Sequence, residues 1–303
     1  MPEDQAVNGD RWNGQFNKLL EAFNWTSLGD ANMDLVNEID EKHGVDRLFT
    51  FENFFQSARE EALIFEAKNY LTTSFSAPLI EEWVKVLDNK ITKLKNSEPL
   101  REMFPILGTL PFRTGLIAIW FSDVDKYPAY RPKFLEALTK VKLTRQQGES
   151  NHIYVLENDA ILRLACVAMA VAEINRDANT KQGFRFFYPA DKRQPVSRSK
   201  TLSVNYFPAK FILGEYTDIN DVDQRVVFYM GKLDIQSFER LRDALFHVGY
   251  LDSEKPLTIY THQRDDSFYR KVEPEIDKIF KGQKVEFEEL ENTNQLPTFM
   301  RKK

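Results

Sequence analysis

Two acidic residues and one lysine lie at the ends of two short apolar segments of the chain. Asp46 opens one segment, and Glu66 and Lys68 follow the apolar residues 62–65 with one residue between them. Because side chains alternate between the faces of a β-strand, Glu66 and Lys68 would project to the same side. Carboxylates bind hard divalent cations, and a neighbouring lysine can orient or help deprotonate an attacking water and stabilise charge on a phosphate. These residues therefore suit phosphodiester hydrolysis with Mg²⁺ or Mn²⁺.

The same residues also have simpler interpretations. A Glu-x-Lys triplet on an exposed strand face is usually a solvated ion pair, worth about 0–1 kcal/mol. Gly-Val-Asp, as at residues 44–46, is common in turns, where the aspartate accepts hydrogen bonds from nearby backbone N–H groups. The conjunction favours the catalytic interpretation, since the triplet ends one apolar strand, the aspartate opens another and an amphipathic helix precedes both.

Composition and charge narrow the class of protein. The chain has 303 residues, 42% of them apolar, enough for one large core or two modest ones. Its formal net charge is −5, so a nucleic-acid site is expected only where positive charges cluster in one part of the chain. The single cysteine, Cys166, and four scattered histidines provide neither an internal disulfide nor a zinc motif. No GxxxxGK[ST] or GxGxxG loop is present, so neither an NTPase nor a dinucleotide enzyme is indicated.

The sequence predicts no membrane contact. The first ten residues are polar and acidic, unlike a signal peptide. The most apolar segment, residues 160–174, is too short for a bilayer and carries Arg163 and Glu173, so we interpret it as a buried helix. A reducing compartment is the simplest expectation for a chain with this cysteine usage, and we predict a cytoplasmic protein.

Hydrophobic periodicity predicts that the first half of the chain alternates strands and helices. Such alternation favours a central mixed sheet with helices on its faces, in an α/β fold. The run GLIAIWF at residues 115–121 is continuously apolar, as expected for a strand covered on both faces. The predicted strands lie near residues 45–51, 62–67, 115–121 and 153–156, and the predicted helices near 11–24, 79–94, 131–141 and 160–174.

A polar break at residues 176–183 predicts a domain boundary. We therefore expect a first domain over residues 1–178 and a second, smaller α/β domain over 179–303. The alternative that the second half continues the sheet of the first domain stays open. After an irregular stretch, this half is predicted to contain strands at 226–229, 257–261 and 284–290 and helices near 235–247 and 268–280.

The order of these elements resembles the core of the PD-(D/E)XK, or restriction-endonuclease-like, nucleases. The resemblance covers residues 10–175 and rests on a helix, a strand opening at Asp46, the h-h-h-E-x-K motif at Glu66 and Lys68, a long helix and another apolar strand. It implies that these three residues are catalytic, with Asp46 and Glu66 holding Mg²⁺ or Mn²⁺. Some members add a glutamate on the first helix, for which Glu21 is the candidate here. The sequence FEAKNY at residues 65–70 is similar to the corresponding motif of restriction and anti-phage defence nucleases.

A basic stretch at residues 181–210 is the candidate surface for nucleic acid. It holds seven cations against one acid, and aromatic residues interleave with the cations. Such a mixture contacts phosphates and stacks on bases. The alternative is that the aromatic residues belong to the core and the cations to a solvated loop. The candidate nucleic-acid contacts are Arg185, Lys192, Arg193, Arg198 and Lys200.

Two functional classes follow from these observations. The first is a divalent-metal-dependent nuclease, with DNA preferred over RNA, acting in restriction or anti-phage defence. The second is a non-catalytic subunit of the same fold that binds nucleic acid or a partner protein. Because the chain has no motor motif, a partner protein would have to supply any translocation or sensing, and assembly into a homo-oligomer also stays open.

Overall fold

The computed structural model describes residues 2–54, 60–143, 150–190, 195–262, 264–265, 267–291 and 293–301. Two units are distinguished by their internal contacts. The first is formed within residues 1–53, 58–162 and 294–303, and the second within 54–57 and 163–293. The domain boundary at 178/179 stays a prediction, and the change from one unit to the other occurs at residues 162/163. Among the described residues, no helix has the length and apolar character of a transmembrane segment.

The first unit is a mixed sheet of five strands flanked by helices, as predicted. The strand order is β1-β4-β5-β6-β7, in which β4 and β5 pair antiparallel while β5, β6 and β7 run parallel. A separate hairpin joins β2 to β3. The elements up to the end of this sheet are α1 (Pro2–Ala22), β1 (Thr26–Leu28), β2 (Met33–Val36), β3 (Lys42–Val45), β4 (Arg47–Glu52), β5 (Glu60–Tyr70), α2 (Ala77–Leu94), α3 (Glu98–Met103), β6 (Phe112–Phe121), α4 (Tyr127–Thr139), β7 (His152–Leu156) and α5 (Asn158–Arg176).

Helices α1 and α2 cover opposite faces of β5, because alternate side chains of a strand point to opposite sides. On one face, the Phe16 ring of α1 stacks on Phe65 with ring centroids 4.9 Å apart. On the other face, Ala62 and Ile64 share a buried cluster with the apolar stripe of α2. The helix predicted near residues 79–94 is present as α2, and its fully or nearly buried residues are Ile80, Val84, Leu87, Ile91 and Leu94.

The second unit contains a six-stranded sheet in the order β13-β12-β11-β10-β8-β9, of which β11, β12 and β13 run parallel. Its helices pack against one face of the three parallel strands through a shared buried cluster. The remaining elements of the chain are β8 (Thr180–Tyr188), β9 (Ser197–Ser199), β10 (Phe211–Asp218), β11 (Asp223–Tyr229), α6 (Ile235–His247), β12 (Leu257–Thr261), α7 (Ile276–Ile279), β13 (Val285–Glu289) and α8 (Thr298–Arg301).

Two expectations for the second half were wrong. The stretch expected to be irregular contains β8 and β10. The buried positions of β8 are aromatic, and those of β10 include Ile212 and Leu213. The helix expected over residues 268–280 is divided into a π-helical turn at Phe268–Val272, a 3₁₀ turn at Glu273–Glu275 and α7. Pro274 lies at the break, and a proline has no N–H with which to continue the hydrogen-bond ladder.

Gly115 of β6 allows α2 to approach the sheet closely. A Cβ at this position would lie 2.9 Å from Cγ and 2.7 Å from Cδ2 of Leu87, which is fully buried. We therefore predict that Gly115→Val lowers the free energy of unfolding by about 1–3 kcal/mol, because the added atoms overpack this contact. Denaturation in urea measures the change.

The matched control is Gly44→Val, at an exposed position of strand β3. Its Cβ would meet only Asp34 Oδ1 at 3.7 Å, an ordinary contact. Valine suits strands, so this change should leave stability unchanged or slightly higher. Equal stabilities of the two variants would contradict close packing of α2 on β6.

Candidate active site

The register of β4 against β5 brings the two predicted carboxylates together. Arg47 pairs with Phe65 in this antiparallel ladder, so Asp46, the residue before β4, lies beside the position of Glu66. The backbone N–H of Ala67 donates to Oδ2 of Asp46 over 2.6 Å. A hydrogen bond from the neighbouring strand therefore fixes the Asp46 side chain at the point where β4 begins.

The backbone of Asp46 is also held. Its carbonyl accepts hydrogen bonds from the backbone N–H of Asn32 (2.9 Å) and from Nδ2 of Asn13 on α1 (3.2 Å). Nε of Arg47 donates in turn to Oδ1 of Asn13 (2.8 Å). Because three elements converge on this residue, its position depends on the packing of the whole unit.

Glu66 and Lys68 project from the face of β5 that α2 covers, as their spacing predicts. Nζ of Lys68 donates to Oε2 of Glu66 over 2.9 Å. The side chains are 24% and 9% exposed respectively, so this pair is largely removed from water. The simpler interpretation, a solvated surface ion pair, does not describe this geometry.

A second lysine, Lys90 of α2, completes the group and was missed in the sequence analysis. Its Nζ donates to Oε1 of Glu66 (2.6 Å) and also to the backbone carbonyl of Gly44. Only 15% of its side chain is exposed. The available signal was its position on the helix, three residues after Leu87 and one before Ile91, at the edge of the buried stripe.

Burial and mutual repulsion perturb the pKa values of these groups. The pKa of Asp46 is raised, first by burial and then by the negative charge of Glu66, against the opposing effects of the Ala67 N–H, Lys68 and Lys90. Burial by itself would lower the pKa of Lys68, but the charges of Glu66 and Asp46 outweigh it and the pKa is raised. Lys68 therefore stays protonated at neutral pH, and it can donate hydrogen bonds and stabilise negative charge.

The donor set fits a divalent cation of the Mg²⁺ type. Mg²⁺ is commonly held by one or two carboxylates and completes its coordination with waters and substrate phosphates. Asp46 and Glu66 supply two carboxylates. The pKa of Asp46 is raised first by burial and then by repulsion from Glu66, and a cation would relieve that repulsion. Within the described part of the chain, no group of three or more His, Cys, Asp or Glu side chains is placed to hold a metal ion.

The structure does not bring Glu21 to this group. Glu21 lies on α1, which packs on the face of β5 opposite to Glu66 and Lys68. Its carboxylate accepts a hydrogen bond from Nδ2 of Asn17 one turn earlier (2.5 Å). Glu21 lies on the exposed side of α1, away from the residues of this helix that pack on β5.

The basic stretch is built differently from a stacking surface. The four aromatic residues at 184, 186, 187 and 188 are core, because they lie on β8 and are at most 3% exposed. Arg185 and Arg198 both bind Glu215, whose carboxylate is 2% exposed. Lys200 follows β9 and is exposed. The two other cations proposed to contact nucleic acid, Lys192 and Arg193, lie outside the described residues.

Lys90 should matter for stability more than a surface lysine of the same helix. We predict that Lys90→Met lowers the free energy of unfolding by about 1–3 kcal/mol, because the buried carboxylate of Glu66 loses one of its two cations. The control is Lys85→Met, which breaks a half-exposed pair with Glu81 and should cost about 1 kcal/mol or less. Urea denaturation compares the two, and equal losses would contradict the role given to Lys90.

Comparison with known proteins identifies one similar family. Residues 1–160, a little over half of the 303-residue chain, match the family model described as the GAPS4 protein PD-(D/E)XK nuclease domain. No curated protein and no solved structure matches the chain. The matched range contains Asp46, Glu66, Lys68 and Lys90 and ends before residue 163, where the main part of the second unit starts.

Proposed function

The chain belongs to the family of GAPS4 PD-(D/E)XK nuclease domains, and from this premise we propose that it hydrolyses phosphodiester bonds of nucleic acid at Asp46, Glu66 and Lys68. GAPS4 is a component of an anti-phage defence system. We propose DNA, in preference to RNA, as the substrate and the cytoplasm as the site of action. A partner protein of the same defence system would supply sensing or any motor function.

The observation that carries this proposal is the convergence of two carboxylates and a protonated lysine at one point of β5. Asp46 and Glu66 would hold Mg²⁺ or Mn²⁺, which when bound polarises a phosphate and lowers the pKa of a coordinated water. Lys68 donates hydrogen bonds from a fixed position and stabilises negative charge that develops on the reacting phosphate. Glu66 holds Lys68 in that position through the 2.9 Å contact.

A second candidate is a subunit of the same fold that binds nucleic acid or protein and does not cut. It is favoured by the engagement of both Glu66 oxygens by lysines, which a bound cation would have to displace. In this case Lys68 and Lys90 would serve only to neutralise a buried carboxylate. The two candidates differ in what the loss of Lys68 should do.

For the nuclease, we predict that Lys68→Ala lowers cleavage by a factor of about 10² to 10³ while nucleic-acid binding stays near that of the wild type. The reason is that Lys68 acts on charge that develops only in the transition state. The assay compares linear and supercoiled DNA and structured RNA with Mg²⁺ present. Lys85→Ala, on the exposed side of α2, is the control for loss of a lysine.

Each outcome assigns a role to the site. Cleavage that survives intact in a folded Lys68→Ala protein excludes Lys68 from catalysis. A wild-type protein that cuts none of these substrates, alone or with its natural partner, supports the binding subunit.

The metal proposal predicts a change in thermal stability. Mg²⁺ should raise the melting temperature of the wild type, because a ligand that binds only the folded state stabilises it by mass action. Asp46→Asn should abolish that rise. Because the raised pKa of Asp46 means that its charged form is disfavoured on folding, removing the charge should leave the metal-free protein equally or more stable.

Asp30→Asn, at an exposed position, is the matched control and should keep the full response to Mg²⁺. An Asp46→Asn protein that also keeps the full response would remove Asp46 from the site.

The basic stretch stays a proposed contact for nucleic acid, now resting mainly on Lys200 and on Lys192 and Arg193. Arg185 and Arg198 are engaged with the buried Glu215, and their neutralisation would disturb the fold as well as any contact.

A further inference from the structure

The second unit has a cleft at the carboxyl ends of its parallel strands. The cavity is about 600 Å³ in volume and is bordered by the end of β11, the start of β10 and the first turns of α6. An adjoining cavity of about 340 Å³ extends toward the end of β12. In open α/β sheets, ligands bind in the crevice outside the carboxyl ends of the strands. The volume is in the range of sites for small molecules of nucleotide size.

The lining of this cleft carries more positive than negative charge. Four cationic side chains border it against two carboxylates, Asp234 and Asp265. Asp234 is itself engaged, since it accepts a hydrogen bond from the backbone N–H of Ser237 as the N-cap of α6. The cations come from α5, β10, the β11–α6 loop and α6 and are Arg163, Lys210, Lys232 and Arg240.

Lys232 and Arg240 come from different turns of the chain and both lie near the carboxylate of Asp234. The pKa of Asp234 is lowered first by its hydrogen bonds with Ser237 and then by the charges of these two cations. Both side chains are exposed and border the same cavity. The first turn of α6, a helix of thirteen residues, also borders the cleft, and the N-terminus of a helix favours an anion.

Apolar side chains form the other part of the wall. Phe211, Met230 and Leu233 border the cavities near the cations. Gly231 lies between Met230 and Lys232, where a Cβ would lie 2.2 Å from the hydroxyl of Tyr229, so only glycine leaves room for that ring. Cations beside an apolar wall match a molecule with phosphate groups at one end and a flat ring at the other.

We propose that this cleft binds a phosphate-bearing small molecule of nucleotide size, with Lys232 and Arg240 on the phosphates and the apolar wall against the base. The site is separate from Asp46 and Glu66 and would be occupied without a divalent cation. It gives the second unit a ligand of its own, distinct from the polymer that the first unit is proposed to cleave.

The test uses the full chain in buffer with EDTA, so that no metal at Asp46 and Glu66 contributes to phosphate binding. Inorganic pyrophosphate, the four common ribonucleoside diphosphates, adenosine and a short single-stranded oligonucleotide are compared by thermal melting and calorimetry. We expect pyrophosphate or at least one diphosphate to raise the melting temperature saturably. Adenosine, which has no phosphate, should not.

The variants assign the binding to the cleft. Lys232→Gln combined with Arg240→Gln should weaken the affinity about tenfold or more, because two charge-assisted contacts are lost. Lys281→Gln should have no effect. Lys281 is exposed in the loop between α7 and β13, which enters the sheet at the opposite end of the parallel strands from the cleft. Asp234→Asn keeps the N-cap while removing a negative charge, so affinity should be equal or higher.

Three results would overturn the proposal. In the first, none of these anions stabilises the wild type. In the second, the double variant binds with the same affinity as the wild type. In the third, Lys232 and Arg240 are needed only for binding of the oligonucleotide, and no small phosphate compound binds.

Discussion

The carboxylate of Glu66, enclosed between β5 and α2, is the constraint on which the first unit depends. A charge removed from water is tolerated when opposite charges and hydrogen bonds surround it, and Lys68 and Lys90 provide both at 2.9 Å and 2.6 Å. One lysine comes from the same strand and the other from α2, so the interaction ties the helix to the sheet. Gly115 permits the helix to lie near enough for Lys90 to reach.

This arrangement also sets the chemistry that the site offers. Two carboxylates and two ammonium groups lie together, and the negative charges of Glu66 and Asp46 raise the pKa of Lys68 against the opposing effect of burial. Any cation that binds Glu66 competes with both ammonium groups. A lysine held protonated beside a metal-type donor set suits stabilisation of charge on a phosphate better than removal of a proton from water.

The second unit also contains a buried carboxylate, and its partners are arginines of the basic stretch. Glu215 of β10 is held by Arg185 of the neighbouring strand β8 and by Arg198 of β9, on the other side of β8. Both arginines are therefore engaged with a buried carboxylate. Lys232 and Arg240 of the cleft at the end of β11 are exposed, lie near the exposed carboxylate of Asp234 and border a cavity. The number of cations in a segment is therefore a poor guide to anion binding, and their partners decide it.

The sequence by itself predicted α1, α2, α4 and α5, the strands β4 to β7 and the candidate site residues Asp46, Glu66 and Lys68, but not β1, β2, β3 or α3. Apolar stripes at helical spacing and continuous apolar runs depend on local periodicity, so α1, α2 and β6 could be predicted, and the Glu-x-Lys spacing placed Glu66 and Lys68 on one face of β5. Only the tertiary structure decided that Lys90 joins them, that Glu21 does not, and that the aromatic residues of β8 are core. The reason is that burial and charge pairing arise between residues distant in sequence: Lys90 is 24 residues from Glu66, and Arg185 is 30 from Glu215. The spacing of apolar residues along the chain indicates which face of a helix or strand is buried. It does not indicate which other element covers that face, because this depends on how the elements pack.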